Sequence, residues 1–357
     1  MRVLYFGTYE RDYPRNAQVI SCLRGAGVEV IERHAQVWER RRHNWSLGLG
    51  AMLRIAGAET RLLLGGRRER FDAVIVGYPG HFDMPAARRI ARGRPVVFNP
   101  LVSLWDTLVG DRGRFPARSP AAAVLRQMDR IAFARADLVV ADTSAHARYF
   151  AETFGVPRAR IEVCFVGAEE RLFRPGWQLP SEFHALFVGK LIPLHGLETI
   201  LAAARLAPEL PFRVVGSGQL DELMNDRPEN VEWVSWVEYE ELANGIQAAG
   251  CALGIFGTSD KAARVIPNKA FQALACGTPL VTADTPAARE LLANDESALL
   301  VPPGDAEALA AAVRRLAADP DLARRIGAGG LAAYRAQASE EVLGRRWREL
   351  LERAIAA

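Results

Sequence analysis

Three lysines stand out against a background of arginine. The 357 residues include 45 basic side chains, and only Lys190, Lys261 and Lys269 are lysines. A compact ammonium reaches a phosphate where a guanidinium fork does not fit, so each lysine marks a stretch where anion chemistry is possible. Lys269 lies in VIPNKAFQALACGTPLVT, residues 265–282. Pro267 suits a first helical turn, and Ala270, Phe271, Leu274 and Ala275 recur at helical spacing. Gly277 fits a left-handed C-cap, and Pro279 stops the helix before an apolar strand. Lys269 and Gln272, three apart, project from nearly one side of a helix start whose N–H groups are open, a natural anion site. Lys190 opens GKLIPLHG, residues 189–196, with His195 near its end. A charge-assisted hydrogen bond to a phosphate is worth about 1.5–3 kcal/mol, so two such contacts from one loop would matter. The plainer reading is a loop lysine and a capping histidine. Gly216-Ser217-Gly218 lets backbone approach a ligand closely, although it lacks the third glycine of a dinucleotide fingerprint. Lys261 ends Thr258-Ser259-Asp260-Lys261, just before the 265–282 stretch.

These stretches need strands and helices to aim them, and the chain supplies both in alternation. The spacing predicts strands at 2–6, 28–31, 73–76, 96–98, 138–141 and 161–165, with helices at 14–25, 85–92, 121–134 and 144–154 between them. Residues 174–182, RPGWQLPSE, read as a linker. The pattern then restarts, with strands at 185–188, 212–215, 230–234, 252–256 and 298–301 and helices at 238–249 and in the 265–282 stretch. A last helix covers 340–354. The fold class is therefore α/β: two Rossmann-like parallel-sheet domains, with ligands bound beyond the carboxyl ends of the strands, facing across a cleft.

Composition narrows the classes. Half the residues are hydrophobic, which excludes a disordered chain. Cys22, Cys164, Cys251 and Cys276 are scattered without a CxxC pair, which argues against zinc and disulfides and for a reducing compartment. The first residues are too short in apolar length for a signal peptide, and no segment approaches the roughly 20 apolar residues of a membrane span, so a cytoplasmic location is expected. Residues 1–175 carry 28 arginines against 18 carboxylates, while the remainder is net acidic. That split suggests that the first half meets something anionic.

The 265–282 stretch resembles the signature segment of the retaining glycosyltransferases of group 1, or family 4, which have the GT-B fold. The frame holds at Ala273, Ala275, Gly277 and Pro279, and Pro267-Asn268-Lys269 matches a variant of that family reading Pro-x-Lys. The two glutamates that hold donor sugar and ribose in the family read Arg264 and Gln272 here. The resemblance implies transfer of a sugar from a nucleotide diphosphate donor, with retention of configuration and without a metal or other cofactor. Lys190 and His195 stand where the family grips the diphosphate, Gln272 where it holds the ribose. Lys269, Gly216 and Gly218 would add donor contacts, and Asp260 with Lys261 would lie at the donor sugar. In the first half, Gly7 and Thr8 follow the first strand, where the family brings a glycine loop to the diphosphate and acceptor, with Arg15 at the start of the helix. Asp106 is the expected acceptor-hydroxyl contact and a catalytic candidate beside Lys190 and His195, with His81 its rival. Asp319-Pro320-Asp321 imitates a metal motif but reads as a helix cap. The resemblance also implies an acceptor domain over 1–174, joined by the helix beyond residue 340, a linker over 175–182 and a nucleotide-sugar domain over 183–339. Other readings are an isomerase or phosphorylase of the same fold, or a non-catalytic sugar-nucleotide-binding partner, the last motivated by the missing glutamates. No nucleic acid is expected as a partner.

The basic cluster Glu39-Arg40-Arg41-Arg42-His43, followed by the apolar-rich run 45–64 and by Arg67, Arg68 and Arg70, has the pattern of an interfacial contact with anionic membrane. It would suit a lipid-linked acceptor and a peripheral position at the inner face of the membrane. The plainer reading is a core helix with solvated arginines.

Overall fold

The structure, a computed structural model, describes residues 1–11, 13–37, 49–64 and 69–357. It divides into two compact units, Met1–Val166 with Glu340–Ala357 and Gly167–Ser339. The second unit therefore starts before the linker read from the sequence. Residues 174–177 are tied into it: the Gly176 and Trp177 N–H groups donate to the Cys276 carbonyl, and the Trp177 indole donates to that of Ala249.

In the first unit six strands form one parallel sheet: β1 Arg2–Gly7, β2 Glu29–His34, β3 Ala73–Val76, β4 Val96–Phe98, β5 Leu138–Ala141 and β6 Ile161–Val163. Their order is β2-β1-β3-β4-β5-β6. β3, β4 and β5 are unbroken apolar runs, as strands covered on both faces must be. One face is covered by α2 (Leu49–Leu64), α3 (Met84–Ala91), α4 (Pro120–Ala134) and α5 (Ser144–Phe154), through Leu62, Met84, Ala87, Phe133 and Phe150. The other is covered by α1 (Pro14–Gly25) and by α11 (Glu340–Ala356), whose Leu343, Trp347, Leu350 and Leu351 meet Val19 and Leu23. α1 and α11 cross closely because Gly344 has no Cβ; one would lie 2.6 Å from the Cys22 carbonyl oxygen.

The second unit repeats the plan with β7 Ala185–Val188, β8 Phe212–Val215, β9 Val231–Val234, β10 Cys251–Leu253, β11 Leu280–Ala283 and β12 Leu299–Val301, all parallel. The order is β12-β11-β10-β7-β8-β9, so the chain winds outward from β7, then returns to its other side at β10. Its helices are α6 (Leu197–Leu206), α7 (Leu242–Ala248), α8 (Asn268–Cys276), α9 (Ala306–Ala318) and α10 (Pro320–Gln337).

Some expected elements are shorter. The strand expected to reach residue 256 ends at Leu253, because the Ile255 N–H turns to the Thr282 hydroxyl. The helix expected over 238–249 splits into a 3-10 turn, Tyr239–Glu241, and α7. Asp319 caps α10, its carboxylate accepting from the N–H groups of Asp321 and Leu322. No described helix is long and apolar enough to cross a membrane. Residues 39–43, Trp45, Leu47, Arg67 and Arg68, which carry most of the expected membrane contact, lie outside the described residues.

Candidate functional site

In an open parallel sheet the ligand crevice forms where the winding reverses, at the carboxyl ends of the two strands flanking that point. In the second unit those strands are β7 and β10. Three loops meet there and pack backbone on backbone. Gly189, after β7, has φ +148° and donates its N–H to Val215 at 2.9 Å. Gly216, after β8, has φ +135°, and a Cβ on it would lie 2.0 Å from the Gly189 carbonyl oxygen. A Cβ on Gly218 would meet the Leu191 carbonyl oxygen at 2.6 Å. The loop after β10 closes the group: the Phe256 N–H donates to the His195 carbonyl, and a Cβ on Gly196 would lie 2.6 Å from the Gly257 nitrogen.

The lysine and histidine of these loops converge over Gly189. A Cβ there would stand 2.8 Å from Lys269 Nζ and 3.4 Å from His195 Cε1. His195 is buried, and its Nδ1 donates to the Lys190 carbonyl at 2.5 Å. Its ring stands edge-on to Phe187. Lys269 is also buried, with Nζ 3.7 Å from the centroid of the Phe187 ring and, among the described residues, no hydrogen-bond acceptor in reach. Burial holds its amine well below the usual lysine range, with no charged neighbour contributing. Pro267 at the N-cap of α8 supplies no side-chain oxygen to its first turn. Lys190 is exposed, immediately beside this cradle.

Gln272, one turn along α8, is buried and donates to the Tyr239 hydroxyl at 3.5 Å. Burial and the neighbouring Glu169 push that phenol up, so it stays protonated at any working pH. In the loop before α8, Asp260 is exposed and Lys261 buried; Arg264, partly buried, ends the 3-10 turn Ala262–Arg264.

The first unit has its own reversal point, between β1 and β3. Gly7 has φ +130°, and a Cβ there would lie 2.3 Å from Asp83 Oδ2. Thr8 is buried, its N–H and hydroxyl both donating to the Asp83 carboxylate at 2.9 Å. Glu59 on α2 stands against the same carboxylate, and burial with Asp83 pushes it up to about 10. Arg15, expected at the donor, is a buried residue of the first unit's core. It is 0% exposed, bonded through Nε to Asn99 and through one terminal nitrogen to the carbonyls of Cys164 and Phe165, and it lies over the Trp347 ring.

The two acceptor candidates lead to one hub. Asp106 is buried at the start of a π-helical turn, Asp106–Asp111, with its N–H on the Ser103 hydroxyl. Ser103 in turn donates to Asp129, which also accepts from the N–H groups of Leu104 and Trp105. His81 Nε2 lies 3.1 Å from the same carboxylate, both side chains fully buried. At the end of β5, Asp142 and His146 form a second buried pair at 2.6 Å. Asp83, Asp129, the Asp142–His146 pair, Tyr239 and Phe187 were all missed in the sequence. The i, i+4 spacing of Asp142 and His146 after an apolar strand is the one local signal that marks any of them. Among the described residues no group of three or more His, Cys, Asp or Glu is arranged to hold a metal.

Comparison with known proteins gives the family and the fold. Residues 182–319 match the family profile described as glycosyl transferases group 1, and residues 2–167 match that of the glycosyl transferase 4-like domain. Among curated proteins, the chain is 26% identical over 190 residues to the lipopolysaccharide core biosynthesis glycosyltransferase LpsD of Rhizobium meliloti, covering 51% of this chain and 53% of that one. It spans about half the length of the first curated relatives it matches. Among solved structures, sucrose-phosphate synthase from Thermosynechococcus elongatus superposes with a TM-score of 0.76 at 18% identity, over 99% of each chain. HepE of Anabaena, crystallised with UDP-glucose, does so with a TM-score of 0.72 at 16% identity, again over 99% of each. At these identities the structural likeness shows the fold, which is GT-B.

Proposed function

Because the chain belongs to the group 1, family 4-like glycosyltransferases, we propose that it moves a hexose from a nucleotide diphosphate donor to a carbohydrate or lipid-linked acceptor, with retention of configuration and without a metal. The observation that carries this reading is the convergence of Lys269 and His195 on Gly189, where three glycine loops hold backbone open at the winding reversal of the second sheet. A diphosphate seated there meets the His195 ring, the Lys269 amine and, at the rim, Lys190. Their positive charge offsets the charge that develops on the departing diphosphate, the task a cation performs elsewhere. Gln272 positions the ribose, itself oriented by Tyr239. The incoming hydroxyl attacks on the face the leaving group vacates, so no enzymic nucleophile is needed.

UDP-glucose, which HepE holds, is the first donor to test. Lys190→Ala is expected to weaken binding of UDP by roughly tenfold or more, the loss of one charge-assisted bond, while leaving uridine binding unchanged. Equal loss for nucleoside and nucleotide in calorimetric titration would remove Lys190 from the phosphate. A second reading has its own observation: Arg264 and Gln272 replace both signature glutamates, as a non-catalytic sugar-nucleotide-binding partner would allow. Slow release of UDP from UDP-glucose supports the enzyme; tight binding without release, in any acceptor mixture, supports the partner.

The proposal includes a cytoplasmic protein peripheral at an anionic membrane surface, supported by α4. Val124 and Ile131, two turns apart, are 58% and 39% exposed, flanked by the exposed Arg126 and Arg130. The one carboxylate of this helix, Asp129, is buried. A helix surface that exposes Val124, Gln127, Ile131 and two arginines but no carboxylate suits the headgroup boundary of an anionic bilayer. The protein is expected to sediment with vesicles containing phosphatidylserine, less so at high salt, and Arg126→Glu with Arg130→Glu is expected to abolish this. Retention in the supernatant at low salt would rule the membrane out.

A further inference from the structure

Lys269 presents a chemical problem. The residue is 8% exposed, and among the described residues Nζ has no hydrogen-bond acceptor, only the Phe187 face beneath it. An ammonium so placed lacks both water and a counter-ion, a combination costing several kcal/mol. The groups around it do not supply the missing charge. From the β7 loop come Phe187 and Gly189; from the turn at 193–195 comes His195, whose Nδ1 is committed to a carbonyl. Lys190, next to Gly189, is a cation and exposed. On α8 itself the polar neighbour is Gln272, neutral, with Tyr239 protonated beyond it and Glu169 hydrogen-bonded to that phenol. A favourable place for the amine is therefore as a neutral group on an aromatic face, close over Gly189.

We propose that Lys269 is a neutral amine in the free protein and becomes an ammonium when an anionic diphosphate occupies the position over Gly189, so that donor binding takes up one proton. This deepens the proposed function and rests on it. An opposite charge within about 4–6 Å favours the charged form of a titratable group, and the diphosphate supplies that charge where the protein does not. Binding and protonation then reinforce one another. Between the pH at which the free amine titrates and the higher pH at which the bound one does, donor affinity falls about tenfold for each unit of rising pH. The lysine acts as a reader of charge. Ligands lacking the diphosphate, such as a nucleoside or a free sugar, leave it neutral and gain nothing from it.

The test is calorimetric. UDP-glucose is titrated into the whole protein at one mildly alkaline pH in HEPES and in Tris, whose ionisation heats differ widely. A nucleotide sugar is chosen because its diphosphate has no proton to gain in this range. The difference in heat between buffers is expected to report uptake of one proton by the wild type and none by Lys269→Met. His195→Gln, which keeps the lysine, is expected to retain the uptake. Wild-type binding with no proton uptake overturns the inference and leaves the glycosyltransferase reading intact. Uptake that persists in Lys269→Met, or disappears in His195→Gln, assigns the proton to another group and also overturns it. Failure of every nucleotide sugar to bind the wild type sinks the functional reading and the inference together.

Discussion

Gly216→Ala is expected to cost about 3 kcal/mol or more of stability and to abolish nucleotide binding, the largest effect of any single methyl group in the second unit. Two penalties coincide at this position. Its φ of +135° is a conformation that L side chains rarely adopt, and the added Cβ would lie 2.0 Å from the Gly189 carbonyl oxygen. The obstacle is backbone, so no side-chain rotation relieves it. The β7 and β8 loops must part instead, which breaks the bonds from Gly189 to Val215 and from Leu191 to Ser217. It also moves Gly189 away from Lys269 and His195. Gly245→Ala is the control: that glycine lies inside α7, nothing stands within 4 Å of its added Cβ, and the change is expected to be neutral or stabilising by about 0.5–1 kcal/mol. Thermal unfolding followed by nucleotide titration measures both. If Gly216→Ala melts with the wild type and still binds UDP, the interlocked loops do not form the phosphate cradle.

Lys269→Met is expected to act in opposite directions on stability and binding. Without ligand, it replaces a buried, unpartnered amine by an apolar chain of similar length, which should raise stability at neutral pH by about 1–3 kcal/mol. With ligand, it removes the charge that meets the diphosphate, and UDP-glucose affinity should fall at least tenfold. The pH dependence fixes the cause. Burial lowers the folded-state amine well below the ordinary value of 10.5, so between the two the unfolded chain binds more protons. Wild-type stability must then rise with pH across that window, while the methionine variant lacks this slope. The advantage of the variant is therefore largest near neutral pH and shrinks as pH approaches the ordinary lysine value. Denaturant midpoints across that range decide the matter. A variant less stable than wild type, or an advantage that does not shrink, would mean that Lys269 carries its charge in the free protein.

Most of this site was legible because its parts are local. Strands β3, β4, β5, β7 and β8 coincide with the expected ranges, since their apolar runs, broken in β8 only by Arg213, are cut off sharply by Gly, Asn or Asp. Gly189, Lys190, His195, Lys269 and Gln272 belong to two short stretches whose turn and cap residues fix where each side chain emerges. What could not be read depends on partners far away in the chain. Thr8 looks like an open hydroxyl after a strand until Asp83, 75 residues on, takes both its donors. Arg15 looks like a surface arginine at a helix start, yet its partners are Asn99 and two carbonyls about 150 residues away, so it is interior. Phe187 reads only as a core residue, and its second face, turned to Lys269, follows from how α8 returns to β7. Pairings at such separations leave no periodicity to detect, because they are set by the crossovers and not by the spacing of neighbours.

The helix α11 carries a consequence for how the molecule is made. One face of the first sheet is covered by α1 and by Leu343, Trp347, Leu350 and Leu351 of a helix that the ribosome produces only after the whole second unit. Until then, a nascent chain holding all six strands of the first sheet shows part of that face to water, and Arg15 lacks the ring of Trp347. The second unit, continuous from Gly167 to Ser339, has every residue it needs before the first has its last one. Units usually fold as they emerge, in order from the N-terminus. In this protein the order of completion is the reverse of the order of synthesis, and that face of the first sheet stays half-covered until α11 emerges.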